Sequence, residues 1–171
     1  MSSIVISGDT SGAITLAAPA VSGTNTATLP AATGTVMVSG NMPAFSAYQS
    51  TNQSISSSTF TKLTIDTEEF DTNNNFASSR FTPTVAGYYQ INGSVQTAGA
   101  PAYISVDIHK NGSTYKYGNF GTAVYQSTVS SLVYLNGSTD YVELYGYSNA
   151  GWTSQSGSTA TYFNGALVRA A

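Results

Sequence analysis

Runs of alternating apolar and polar residues recur along most of this chain. No stretch longer than a turn or two holds a 3.6-residue apolar period. Side chains of a strand point to opposite faces with a period of two, so the pattern predicts an all-β protein. In Tyr88–Val95 it puts Tyr89, Ile91 and Val95 on one face. In Tyr103–Lys110 it puts Ile104, Val106 and Ile108 inward, with Asp107 and His109 outward. Leu63 and Ile65 alternate in the same way within 59–66. Three Asn-Gly pairs, Asn111-Gly112, Asn136-Gly137 and Asn164-Gly165, fall where hairpin turns are expected, because the pair tolerates the positive φ of tight turns. Many short strands with regular turns indicate a sandwich or jelly roll.

Charge is scarce. Only 8% of residues are charged, against roughly 25% in ordinary domains. Disorder is nevertheless excluded, because disordered chains are charge-rich and aromatic-poor, whereas 12% of this chain is aromatic. The basic residues Lys62, Arg80, Lys110, Lys116 and Arg169 are scattered, which argues against a phosphate-tracking patch and so against nucleic-acid binding. There is no cysteine, hence no disulfide and no thiolate metal site. The opening MSSIVISGDTSG has no basic n-region and no long apolar run, so neither a signal peptide nor a membrane partner is expected.

Texture divides the chain in two. Residues 1–41 are rich in Ala, Thr, Gly and Ser, with no aromatic residue and one charge, Asp9. Short strands are expected at 3–6, 13–16, 26–29 and 35–38. Such an arm has too few large apolar groups to fold unaided, so an attachment role is expected for it. Its docking candidates are Ile4, Ile6, Ile14, Leu16, Leu29 and Val36. Residues 42–171 hold every Tyr, Phe and Trp and are expected to form the head domain.

The order of motifs in the head is recognisable. Pro43-Ala44-Phe45-Ser46-Ala47, Phe70-Asp71, Phe81-Thr82-Pro83 with Ala86-Gly87-Tyr88-Tyr89, the strand ending Lys110-Asn111-Gly112, Asp140 to Leu144, and Tyr162 to Val168 follow one another. Together they resemble the globular head of the complement/tumour-necrosis-factor-like jelly-roll family over residues 43–169. The resemblance implies a TNF-like jelly-roll β-sandwich and a homotrimer packed about a threefold axis. In the arm, Gly12 to Ala20, Gly23 to Pro30 and Thr33 to Val36 resemble a segment of tailed-bacteriophage structural proteins.

Candidate chemistry is sparse. His109 has no accompanying nucleophile motif, so a surface or interface histidine is expected rather than a triad. The acidic run Asp66, Glu68, Glu69 and Asp71 is expected to be a solvated loop; calcium is the ion it would take, and no other cofactor is expected. Trp152 lies in a Gly- and Ser-rich stretch and, with Tyr115, Tyr117 and Tyr147, forms the candidate ligand or partner surface. No phosphate loop or metal-spaced cluster supports an enzyme.

These readings predict a trimeric virion-surface protein of the capsid decoration or cement type. Its arms would clamp the major capsid protein or another virion protein. The alternative is the receptor-binding head of a phage tail or head fibre, recognising a host surface glycan or protein.

Overall fold

A computed structural model describes all residues except 1, 2, 9, 18, 22, 29, 30, 32, 35, 100–102 and 121–123. The chain forms two compact units, residues 1–34 and 35–171. Residues 37–41, which share the arm's composition, belong to the second unit, where Met37 packs against the hydrophobic core.

In the first unit, β1 (Ser3–Ser7) pairs antiparallel with β2 (Ala13–Ala17), with Ile4 opposite Leu16 and Ile6 opposite Ile14. The Gly8 amide donates to the Gly12 carbonyl at 3.0 Å to close the turn. Residues 26–28 and 36–38, expected as strands, are not strands; Leu29 lies outside the described residues.

The second unit is a two-sheet sandwich. Its strands are β3 (Ala44–Tyr48), β4 (Gln53–Ile55), β5 (Thr61–Lys62), β6 (Thr67–Asp71), β7 (Phe76–Ala77), β8 (Arg80–Phe81), β9 (Gly87–Gln96), β10 (Ser105–Lys110), β11 (Ser113–Tyr117), β12 (Gln126–Leu135), β13 (Val142–Tyr147), β14 (Trp152–Ser154) and β15 (Tyr162–Ala170). The front sheet runs β12-β9-β15-β3-β6. The back sheet runs β11-β10-β13-β8-β7, with β5 also on β13, and β14 pairs β4 separately. Among the described residues every pairing is antiparallel, and apart from the β7–β8 and β10–β11 hairpins the chain passes repeatedly between the two sheets, as in a jelly roll.

The core lies between the sheets. Phe45 sits at its centre, its ring 4.3 Å from Phe81, 5.0 Å from Phe76 and 5.1 Å from Phe163. Tyr89, Ile91 and Val95 from the front meet Ile104, Val106, Ile108 and Leu144 from the back, and all are buried. The Tyr89 hydroxyl donates to the Val85 carbonyl at 2.6 Å, and burial pushes its pKa up to about 12.

The three Asn-Gly pairs have three fates. Asn111 (φ 54°) and Gly112 (φ 80°) turn the β10–β11 hairpin as expected. Asn136-Gly137 is a turn but not a hairpin, since it carries the chain from β12 in the front sheet to β13 in the back. There the Asn136 side-chain oxygen accepts the amides of Ser138, Thr139 and Asp140. Asn164-Gly165 is no turn at all and lies inside β15. Gly165 is there for space: a Cβ would sit 2.6 Å from Ile91 and 3.1 Å from Phe45.

Candidate functional site

Four large aliphatic side chains occupy one face of the β1–β2 hairpin. The cross-strand pairs Ile4–Leu16 and Ile6–Ile14 put them together, and all four are between 55% and 67% exposed. A two-stranded hairpin is marginal in water on its own, so this face stabilises the unit only when something covers it. Val36 is also exposed.

The outward face of the front sheet combines a polar ladder with an apolar rim. The Asn92 amide donates to Asn164 Oδ1 at 3.0 Å, and Ser130 Oγ donates to Asn92 Oδ1 at 2.8 Å. Gln90 Nε2 donates to Ser130 Oγ at 2.9 Å. Near one end Tyr88 and Tyr134 lie 5.5 Å apart beside exposed Leu132. On the other side Phe70 borders a depression of about 340 Å³.

The outward face of the back sheet differs most from the expectation. Asp107 and His109 do point away from the core, yet both are buried. Aromatic side chains roof them over. Phe60, Tyr147, Tyr103, Phe120 and Tyr117 form a closed circuit, with successive centroids 4.7, 6.3, 5.3, 5.6 and 6.4 Å apart. His109 thus keeps its expected outward phase, but it is buried rather than at the surface. Its ring stacks on Tyr145 at 3.8 Å, with Phe60 at 5.7 Å and Thr114 Oγ1 3.1 Å from Nε2. Asp107 accepts the Gly118 amide and the Ser105 hydroxyl, and burial holds its pKa above the usual carboxylate value.

Burial lowers the His109 pKa below 6.5, against the opposing pull of Glu143 on the neighbouring strand. A depressed histidine favours the fold above its unfolded pKa. Below about 6.5 the unfolded chain takes up the proton more readily, and stability falls with pH. Asp107, with its raised pKa, acts in the opposite sense at lower pH. The expected result is that the melting temperature of the wild type drops more between pH 7 and pH 5.5 than that of His109→Gln. Equal drops would contradict this burial.

Glu143 is a second charged centre on this sheet. One oxygen, Oε1, accepts Lys62 Nζ at 2.7 Å and Arg80 Nε at 2.9 Å. Burial pushes its pKa up, but the two cations outweigh that and hold it below 4.5.

The other predicted residues disperse. Asp66 caps Ser50 through its amide and hydroxyl, Asp71 accepts the Phe76 amide, and Glu69 accepts the Ser46 hydroxyl. Among the described residues no three His, Asp or Glu gather as metal ligands. Trp152 offers no ligand surface. It is 8% exposed in β14, with its indole in the space that Gly146 leaves. Tyr117 and Tyr147 do join the aromatic circuit, and Tyr115 is exposed at the bulge in the β10–β11 pair. Phe60, Tyr103 and Phe120 were missed because their grouping depends on segments distant in sequence.

No family model matches the sequence, and no curated protein resembles it closely enough to be a sequence relative. Solved structures do match the fold. The Eiger TNF of S. frugiperda superposes with a TM-score of 0.63 at 8% identity, covering 77% of this chain and 95% of that one. The globular domain of zebrafish complement 1qA protein gives 0.56 at 15% identity, covering 75% and 98%. The PRD1 vertex protein P5 gives 0.51 at 16% identity, covering 74% and 97%. The head is therefore a TNF-like jelly roll, as its motif order implied. Among the described residues, no helix is long and apolar enough to cross a membrane.

Proposed function

We propose that this chain is a non-enzymatic structural protein of a virion, a trimeric capsid decoration protein whose N-terminal hairpins dock on the major capsid protein. The observation that carries this reading is the exposed aliphatic face of Ile4, Ile6, Ile14 and Leu16 on an otherwise coreless hairpin. Covering those four side chains, already partly buried, is worth on the order of 4–8 kcal/mol before the costs of docking. Three arms on one trimer would add their effects by raising the local concentration of the second and third. The vertex protein P5 of PRD1 shares the head fold, which supports a particle-surface setting. The test is co-sedimentation with empty shells. The whole chain is expected to pellet with them, and a chain lacking residues 1–34 is expected to stay in solution.

The trimer would form through the outward face of the front sheet, with Tyr88, Leu132 and Tyr134 against neighbouring copies and the Asn92–Asn164 ladder fixing their register. Leu132→Asp is expected to weaken self-association at least about 100-fold, equivalent to roughly 2.8 kcal/mol. Light scattering after size exclusion would then report a monomer. A trimer that survives the charge would move the interface elsewhere.

A second reading, receptor binding on the host surface, is favoured by the half-exposed aromatic circuit on the back sheet. Rigid aromatic side chains supply contact area at low entropy cost.

A further inference from the structure

Two of the chain's five basic residues, Lys62 and Arg80, line one pocket of about 490 Å³ beside the β7–β8 hairpin. Among the described residues, no carboxylate belongs to its lining. The volume falls within the range of small-molecule sites, roughly 300–1,000 Å³.

Arg80 is held ready. Its Nε is tied to Glu143, and its guanidinium carbon lies 3.7 Å from the centroid of the Tyr141 ring. Its two terminal nitrogens have no hydrogen-bond acceptor among the described residues. A guanidinium fixed through Nε and one face keeps the paired donors that match a carboxylate. Glu143 supplies one negative charge against two positive ones, so the group is left with a net positive charge.

Apart from Ala77, the rest of the lining is hydroxyl and amide. The side chains of Asn74, Ser78, Thr82 and Thr84 make no hydrogen bond among the described residues. Asn74 and Ser78 also hold left-handed backbone conformations, both with φ 52°. Ser79, next in the turn, is buried and its hydroxyl bonds both the amide and the carbonyl of Ile65, which leaves exposed Ser78 as the hydroxyl that faces the pocket. At Ser78 and Ser79 the positive φ is what a two-residue hairpin turn between β7 and β8 requires.

From this geometry we infer that the pocket is a binding site for an acidic saccharide. The sugar's carboxylate lies on the paired terminal nitrogens of Arg80, with the Lys62 ammonium adjacent. Its ring hydroxyls meet Asn74, Ser78, Thr82 and Thr84. This deepens the receptor-binding reading and is independent of hairpin docking, because the pocket lies within the 35–171 unit.

The experiment is a titration of the full-length, ¹⁵N-labelled protein with N-acetylneuraminate and with glucuronate, followed by amide shifts. Glucose and sodium sulfate are the controls. At least one acidic sugar is expected to saturate shifts at the amides of 74–84, while glucose does not and sulfate binds at least 10-fold more weakly. Arg80→Lys keeps a positive charge for Glu143 but removes the fork, and is expected to weaken binding at least 10-fold while the protein stays folded, with its amide spectrum outside residues 74–84 and 141–143 unchanged. Asn74→Gly, which keeps the backbone angle, is expected to weaken it several-fold. Sulfate binding as tight as the sugar would overturn the assignment in favour of a general anion site. Absence of shifts with both sugars would overturn it outright, with shell co-sedimentation unaffected in either case.

Discussion

Replacing Ile6 by lysine and Ile14 by glutamate in one chain is expected to lower its affinity for shells at least about 100-fold, equivalent to roughly 2.8 kcal/mol per arm. The two residues face each other across the hairpin, so the opposite charges preserve the strand pairing while destroying the aliphatic face. Each side chain is worth about 1.5–3 kcal/mol when buried, and a charge in its place opposes docking further. The loss multiplies over three arms. The head is expected to keep its melting temperature, because every residue of the hydrophobic core lies in residues 35–171. A variant that binds shells as tightly as wild type would show that the hairpin is not the clamp.

Phe45→Ala is expected to destabilise the head by about 3–5 kcal/mol. Phe45 is 1% exposed and touches three other phenylalanine rings, two from the β7–β8 hairpin and one from β15. Alanine leaves a cavity that strands on both sheets cannot close without shifting. In a domain of this size the change corresponds to a fall of about 10–20 °C in melting temperature, measured at fixed protomer concentration. Phe60→Ala is the contrast. That ring is 39% exposed on the outer face of the back sheet, and its removal is expected to cost about 1 kcal/mol or less. Equal effects from the two would contradict the placement of the core.

What the sequence made legible was what depends on period and local turn chemistry. The alternation of Tyr89, Ile91 and Val95, and of Ile104, Val106 and Ile108, is the core face observed in β9 and in the strip leading through β10. The motif order of residues 43–169 led to the correct fold. Identical dipeptides nevertheless had different fates. Asn111-Gly112 turns, whereas Asn164-Gly165 runs straight because the packing of Ile91 and Phe45 demands a residue without a side chain.

The misreadings share a cause. Outward phase predicts exposure only if nothing covers that face, and Phe60 and Tyr147, far from Asp107 and His109 in sequence, help roof it. Trp152 sits among glycines and serines typical of exposed loops, but a glycine on β13 makes room for its indole. The Arg80 pocket was likewise hidden. The β7–β8 turn uses Ser78-Ser79 at positive φ, where Asn-Gly would have signalled it, and the free fork of Arg80 follows from a carboxylate more than sixty residues away.

The claim that this is a capsid decoration protein is tested most directly by its copy number in purified particles relative to the major capsid protein. Quantitative mass spectrometry of intact particles is predicted to give a count comparable to that of the shell subunit. A count of only a few trimers per particle, or none, would contradict it.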